Sequence, residues 1–254
     1  MKLDFSDIMI MTPSIGKSRS VKLFATIMNV LSNVTGVHWI IDIEQSVEKS
    51  IIDDILDLAN VTGNMVDFAV REPVQQSVGR RKVDMINFWV NHKNKRNWLL
   101  NVDDDFILPY ETLSIVYQAS RHLSIKYFSL CQFDIRNIRG YADWDKIVRR
   151  PSDLKLFIEK NGIEKVNSHL WEAYDSLVLE NTVGISSGCF MMNRHADIQS
   201  VIGILSEFEK GERLSDVAIA KIIGEGYILV GANVYHLVNE EYFNKKWQKE
   251  KNLE

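Results

Sequence analysis

Three consecutive acids, Asp103, Asp104 and Asp105, follow the mostly apolar run Trp98-Leu99-Leu100-Asn101-Val102. Aspartate is a poor strand residue, and adjacent carboxylates repel one another where water is scarce. A divalent cation is the commonest reason for such a cluster at the end of a buried strand. The competing reading is a turn, since Asp favours turns and Pro109 follows, but turn chemistry does not require three acids. Two other apolar runs end in polar groups, one at Thr12 and one at Asp42 and Glu44. Ligands of open α/β sheets collect outside the carboxyl ends of the strands. If these strands are neighbours, Thr12, Asp42, Glu44 and the three acids surround one crevice.

The elements that must carry these residues follow from apolar spacing. Continuous runs predict strands at Ile8–Met11, Val37–Ile43, Met65–Val70, Trp98–Val102, Tyr127–Phe133 and Cys189–Asn193, because a strand buried on both faces loses its alternation. Helical spacing links the first four. Val21, Phe24, Ile27, Met28 and Leu31 predict a helix from Ser20, and Ile51, Ile55 and Leu58 one over Val47–Ala59. Val83, Ile86 and Val90 predict a third from Arg80. Strand and helix in alternation predict a parallel sheet with right-handed crossovers. Further helices are expected over Pro109–Leu123, Asp197–Lys210 and from Ser215 to a Gly224-Glu225-Gly226 stop. Two short strands should follow, at Tyr227–Val230 and Asn233–Leu237. The segment 136–180 shows no strand alternation; with a short helix over Leu154–Lys160, it reads as an insertion covering the crevice.

At 254 residues the length suits one large α/β domain. A hydrophobic share of 46% against 25% charged residues is the balance of a chain that buries a single core. Thirty basic against 34 acidic residues leave a net charge of −4, which excludes a global field for nucleic acid or anionic membrane. Arg136, Arg139, Lys146, Arg149 and Arg150 form a local basic run that could follow a phosphate backbone, although the acidic total favours a solvated face. Cys131 and Cys189 are too few for a disulfide framework and favour a reducing, cytoplasmic setting. The chain opens without an apolar signal core, and no run approaches the length of a membrane span.

Five stretches, taken in order, carry a resemblance. Met11-Thr12-Pro13-Ser14-Ile15-Gly16 ends the first strand in a polar loop, and Leu99 to Pro109 contains acids separated by one residue at Asp103 and Asp105. Ser187 to Arg194 is a glycine-led strand. Leu214-Ser215-Asp216-Val217-Ala218-Ile219 precedes Gly226-Tyr227, and Val234-Tyr235-His236 comes last. Together they resemble nucleotide-sugar-dependent glycosyltransferases of the GT-A fold, nearest the family-two type, over roughly Ile8 to Leu237 with 136–180 unmatched.

The resemblance implies a single GT-A-type catalytic domain over 1–254, with a nucleotide-binding half at 1–110 and an acceptor half at 111–238. The insertion 136–180 lies within the second half, and 239–254 forms a terminal tail or helix. It implies Mn²⁺ or Mg²⁺, because cleavage of a sugar–phosphate bond leaves a nucleoside diphosphate whose growing charge a divalent cation stabilises as a Lewis acid. Asp105 is the expected metal ligand, and Asp103 the partner of the ribose or of the metal. Asp104 would serve either role or face the donor sugar. His236 is the proposed third protein ligand, unless it is an ordinary strand residue with a satisfied ring.

Asp216 is the implied general base toward an acceptor hydroxyl, which entails inversion at the anomeric carbon. Ser215 stands where the family usually has Glu, and Ser215-Asp216 would also serve as a plain helix start. Thr12 and Pro13 would line the nucleotide base, with Asp42 or Glu44 accepting from a uracil ring nitrogen, so a UDP-sugar is the favoured donor. Arg80 or Arg81 would meet the diphosphate, unless both belong to a solvated face. Gly188 leads the strand beside the acceptor site.

Two other classes share parts of this pattern. A nucleotidyltransferase has the parallel sheet and paired acids but expects a Gly-rich basic loop early in the chain, and Thr12 to Arg19 holds one Gly. A non-catalytic nucleotide- or sugar-binding domain would keep the pocket without the chemistry. The sequence does not name the acceptor; the resemblance implies a hydroxyl on a glycan, lipid or protein, with a nucleic-acid base less favoured.

Overall fold

The computed structural model describes residues 2–13, 20–45, 47, 49–71, 78–104, 106–122, 124, 126–135, 164–165, 172–174, 177–181, 188–207 and 227–237. Side chains are described for most of these, but not for 20–25, 44, 71, 78–79, 131–181, 204–205, 207, 227–228, 230, 233 or 235–237. The expected helices at Leu154–Lys160, from Ser215 and over 239–254 lie outside them.

Four strands form a parallel half-sheet. They are β2 (Ile8–Pro13), β4 (His38–Glu44), β5 (Met65–Arg71) and β6 (Trp98–Val102), in the order β5-β4-β2-β6. The connections carry α1 (Ser20–Asn33), α2 (Lys49–Thr62) and α3 (Val78–Asn91). This is the predicted strand–helix alternation, with each strand equal in length to its apolar run or at most two residues longer. A two-residue pair, β1 (Leu3–Asp4) with β3 (Val34–Thr35), stands apart as a small parallel sheet.

Alternate residues of the strands enter two separate cores. Ile8, Ile10, Trp39, Ile41, Trp98, Leu100 and Val102 pack against Ile27, Val30 and Leu31 of α1 and Ile55 and Ala59 of α2. On the other face, Met9, Met11, Ile40 and Leu99 meet Val83, Met85, Ile86 and Trp89 of α3. Burial on both faces explains why the runs are continuously apolar. The helix α4 (Tyr110–Ala119) joins the first layer through Leu113, Val116 and Ala119, and α5 (Ile198–Glu207) joins the second through Val201.

Beyond β6 the sheet becomes mixed. β12 (Cys189–Asn193) runs antiparallel between β6 and β8 (Tyr127–Ile135), and β8 pairs in parallel with β13 (Tyr227–Leu237). The predicted strands at Tyr227–Val230 and Asn233–Leu237 are one element, with a register shift between Leu229 and Asn233. Gly231 sits inside that irregularity at φ 78°, a conformation that favours glycine.

Part of the expected insertion belongs to the sheet. β11 (Leu177–Asn181) pairs antiparallel with β13, β10 (Glu172–Tyr174) adds the outer edge, and β9 (Glu164–Lys165) pairs with β8. These pieces are two to five residues long, too short for alternation to register in the sequence. Among the described residues no helix is long and apolar enough to cross a membrane.

Candidate active site

Parallel pairing aligns the carboxyl ends of the strands that carry the candidate residues. Met11 lies opposite Asn101, and Pro13 opposite Asp42, so Thr12, Pro13, Asp42 and the start of the acid triplet share one edge of the sheet. Antiparallel β12 completes that edge. Its Cys189 pairs with Val102, and the Asp103 N–H donates to the Gly188 carbonyl at 2.9 Å. The chain then turns tightly, with the Phe106 N–H donating to the Asp103 carbonyl at 3.2 Å.

That turn delivers β7 (Phe106–Ile107), which pairs antiparallel with β13 so that His236 lies opposite Phe106. Sequence reasoning missed β7, since two residues carry no period. It is held from the other side by α1. The Thr26 hydroxyl donates to the Phe106 carbonyl, and the Asn29 amide donates to the Leu108 carbonyl. The backbone of His236 is thereby brought beside the acid triplet, from the far end of the chain.

The Asp103 carboxylate is fixed by residues on two elements. Lys82 of α3 reaches it with Nζ 3.0 Å from Oδ1 and 3.1 Å from Oδ2, and the Asn101 amide donates to Oδ1 at 3.1 Å. The same amide nitrogen donates to the Gly188 carbonyl at 3.0 Å, tying β6 to β12 at this point. Lys82 is 4% exposed and the Asp103 side chain 22%, so this ion pair is shielded at the lysine end and open at the carboxylate end. Charge-assisted bonds of this kind are roughly twice as strong as neutral ones.

Lys82 was not among the residues singled out from sequence, although a signal existed. Lys82, Met85, Ile86 and Trp89 recur at helical spacing and are all buried. A lysine on the apolar face of a helix needs an acid within reach. Thr26 and Asn29 show the same signal on α1.

The remaining candidates fall as follows. Asp104 is 1% exposed, Asp42 is wholly buried and Arg81 is 3% exposed. Arg80 is half exposed and pairs with Asp84 one turn along α3 at 3.2 Å, as on a solvated helix face. Thr12 and Pro13 are buried at the end of β2, and the Thr12 hydroxyl accepts from the Trp39 indole N–H at 3.0 Å. The backbone of Glu44 pairs with Arg71 at the end of β4. Asp105 and Asp216 lie outside the described residues. Among the described residues, no three His, Cys, Asp or Glu side chains converge on a metal position.

Gly188 is required here by space. A Cβ at this position would stand 2.5 and 2.7 Å from ring atoms of Phe106 and 3.5 Å from Asp103 Oδ2. The neighbouring Cys189 is a poor nucleophile: burial pushes its thiol well above the ordinary range, the Asp103 charge adds to this, and Lys82 opposes it.

No family model matches the sequence, and no curated protein matches it. Solved structures do match. One is the mannosyltransferase PcManGT from Pyrobaculum calidifontis in complex with GDP-Man and Mn²⁺, at 10% identity and a TM-score of 0.50, over 92% of this chain. The fold is of the GT-A type. This chain spans 57% of that enzyme's length. The galactosyltransferase LgtC, in complex with donor and acceptor sugar analogs, aligns over 90% of this chain and 72% of its own at 10% identity, with a TM-score of 0.44.

Proposed function

We propose that this protein is a metal-dependent, inverting glycosyltransferase of family-two type, acting as a single catalytic domain. It would move a sugar from a nucleoside diphosphate, a UDP-sugar in preference, to a hydroxyl acceptor on a glycan, lipid or protein. The observation that carries the reading is the Asp103 carboxylate, anchored by Lys82 and Asn101 at the carboxyl ends of the parallel strands, the sheet edge that also holds buried Asp42. PcManGT, which shares the fold, was solved with a nucleotide sugar and Mn²⁺.

The residues present fit a hard divalent cation. Carboxylate oxygens are its natural donors, and the strand pairing that sets the His236 backbone opposite Phe106 adds an imidazole-bearing residue at the end of the turn that leaves Asp103. Asp105 and His236 would hold Mn²⁺ or Mg²⁺, with Asp103 toward the metal or the ribose and Asp104 toward either or the donor sugar. The cation, when bound, supplies Lewis-acid stabilisation of the leaving diphosphate. Asp42 or Glu44 would accept from the base beside Thr12 and Pro13, and Arg81 or Arg80 would meet the diphosphate. Gly188 would lead the strand beside the acceptor site, and Asp216 would take the acceptor proton.

A panel of nucleotide sugars with Mn²⁺, read by product mass, tests the reading and names the donor. Turnover of at least one donor is expected, and Asp105→Ala should abolish the Mn²⁺-dependent part while the fold persists. Nucleotide binding without turnover of any donor would instead mark a binding module.

A further inference from the structure

Lys82 is a cation already resident in the site, and it faces the carboxylate that a metal would also seek. Both oxygens of Asp103 lie within 3.1 Å of its Nζ, and the lysine side chain is 4% exposed. We infer that Lys82 couples the binding of a divalent cation to that of a nucleoside diphosphate, so that each binds weakly alone and tightly with the other. The inference rests on the glycosyltransferase reading above.

The argument is one of charge balance. A metal that draws on Asp103 weakens the attraction between this carboxylate and the ammonium at 3.0 Å. Lys82 cannot recover the difference from bulk water, because it is buried on the face of α3 that carries Met85, Ile86 and Trp89. A diphosphate brings negative charge into the same crevice and offers the ammonium a further anionic partner. The cost that Lys82 imposes on metal binding is therefore removed by the diphosphate. Linkage makes the effect reciprocal: the metal must improve diphosphate affinity by the same factor.

Asn101 makes the exchange feasible without loss of geometry. Its amide holds Asp103 Oδ1 and the Gly188 carbonyl together, so the carboxylate keeps its place when Lys82 turns away. Lys82 is thus a positioning residue and a sensor of site charge.

The test measures Mn²⁺ binding by electron spin resonance at fixed ionic strength, alone and with UDP or GDP. It compares wild type with Lys82→Gln, which keeps a donor for Asp103 but removes the charge, and with Lys82→Arg, which keeps the charge. Lys82→Gln should bind Mn²⁺ alone about tenfold more tightly than wild type, and the gain produced by the diphosphate should shrink by a similar factor. Lys82→Arg should retain the wild-type coupling. Unchanged or weaker Mn²⁺ binding by Lys82→Gln overturns the inference, since a purely structural lysine would behave that way. Wild-type protein that binds no Mn²⁺ even with UDP or GDP overturns the glycosyltransferase reading itself.

Discussion

Gly188 shows how a residue without a side chain governs the site. The Phe106 ring occupies the volume where a Cβ would stand, and the Gly188 carbonyl accepts from both the Asp103 N–H and the Asn101 amide. Gly188→Ala should therefore destabilise the fold by about 1–3 kcal/mol, the usual cost of overpacking, as read by urea unfolding. Phe106→Leu in the same chain should recover most of the loss. An unchanged urea midpoint in the single variant would mean that the ring swings aside freely, and the tight-contact argument would fall. At this scale the abnormal charge density of Asp103-Asp104-Asp105 marks the end of a buried strand in the sequence, and the structure sets Asp103 at that end against Lys82. The sequence was less legible at Lys82, whose meaning depends on Asp103 just beyond β6, than at the adjacent pair Arg80 and Arg81. Arg80, by its pairing with Asp84, has the setting of a surface residue.

Element ends depend on a few polar side chains that bridge distant segments. After α2, Gly63 at φ 72° stops the helix, and the Asn64 N–H donates to the Ala59 carbonyl at 2.9 Å. The Asn64 side chain then accepts from the Val37 N–H at 3.1 Å and donates to the Val34 carbonyl at 3.0 Å, joining α2 to the entry of β4. Asn64→Ala should cost about 2 kcal/mol, since buried backbone groups lose their partners. A loss under about 0.5 kcal/mol on urea unfolding would show that water replaces the amide. Arg194 plays a matching part after β12. Its guanidinium donates to the carbonyls of Trp89 and Val90 at the end of α3 and to that of Arg96, and lies 5.0 Å from the centre of the Trp89 ring system. Strands and helices with long periodic runs were readable from sequence. β7, β9 and β10 were not, because pairing with β8, β11 and β13, and not local pattern, makes them strands.

Across the whole molecule, one histidine ties stability to pH. His38 is buried in β4, its ring bonded to Asp67 of β5 at 2.7 Å and packed against Phe88 and His92 of α3. Burial lowers its pKa below the ordinary 6.5; the bond to Asp67 opposes this, and Arg96 and His92 add to it. The unfolded chain therefore binds a proton that the folded chain resists. Stability from this group is full above about pH 6.5 and is lost as pH falls toward the depressed value. The urea midpoint should drop between pH 7.5 and pH 5.5, and His38→Gln should flatten that drop. An equal drop in the variant would assign the effect to other groups.

The Asn101–Gly188 bond spans 87 residues of sequence, whereas β2, β4, β5 and β6 are joined by successive strand–helix units. The order of assembly follows from that difference. Local units close quickly, and contacts between distant segments form slowly. During synthesis the parallel half can condense with Lys82 and Asp103 already in place, while the strand that braces them has yet to leave the ribosome. Asp103 would thus wait, paired to Lys82, until β12 arrives.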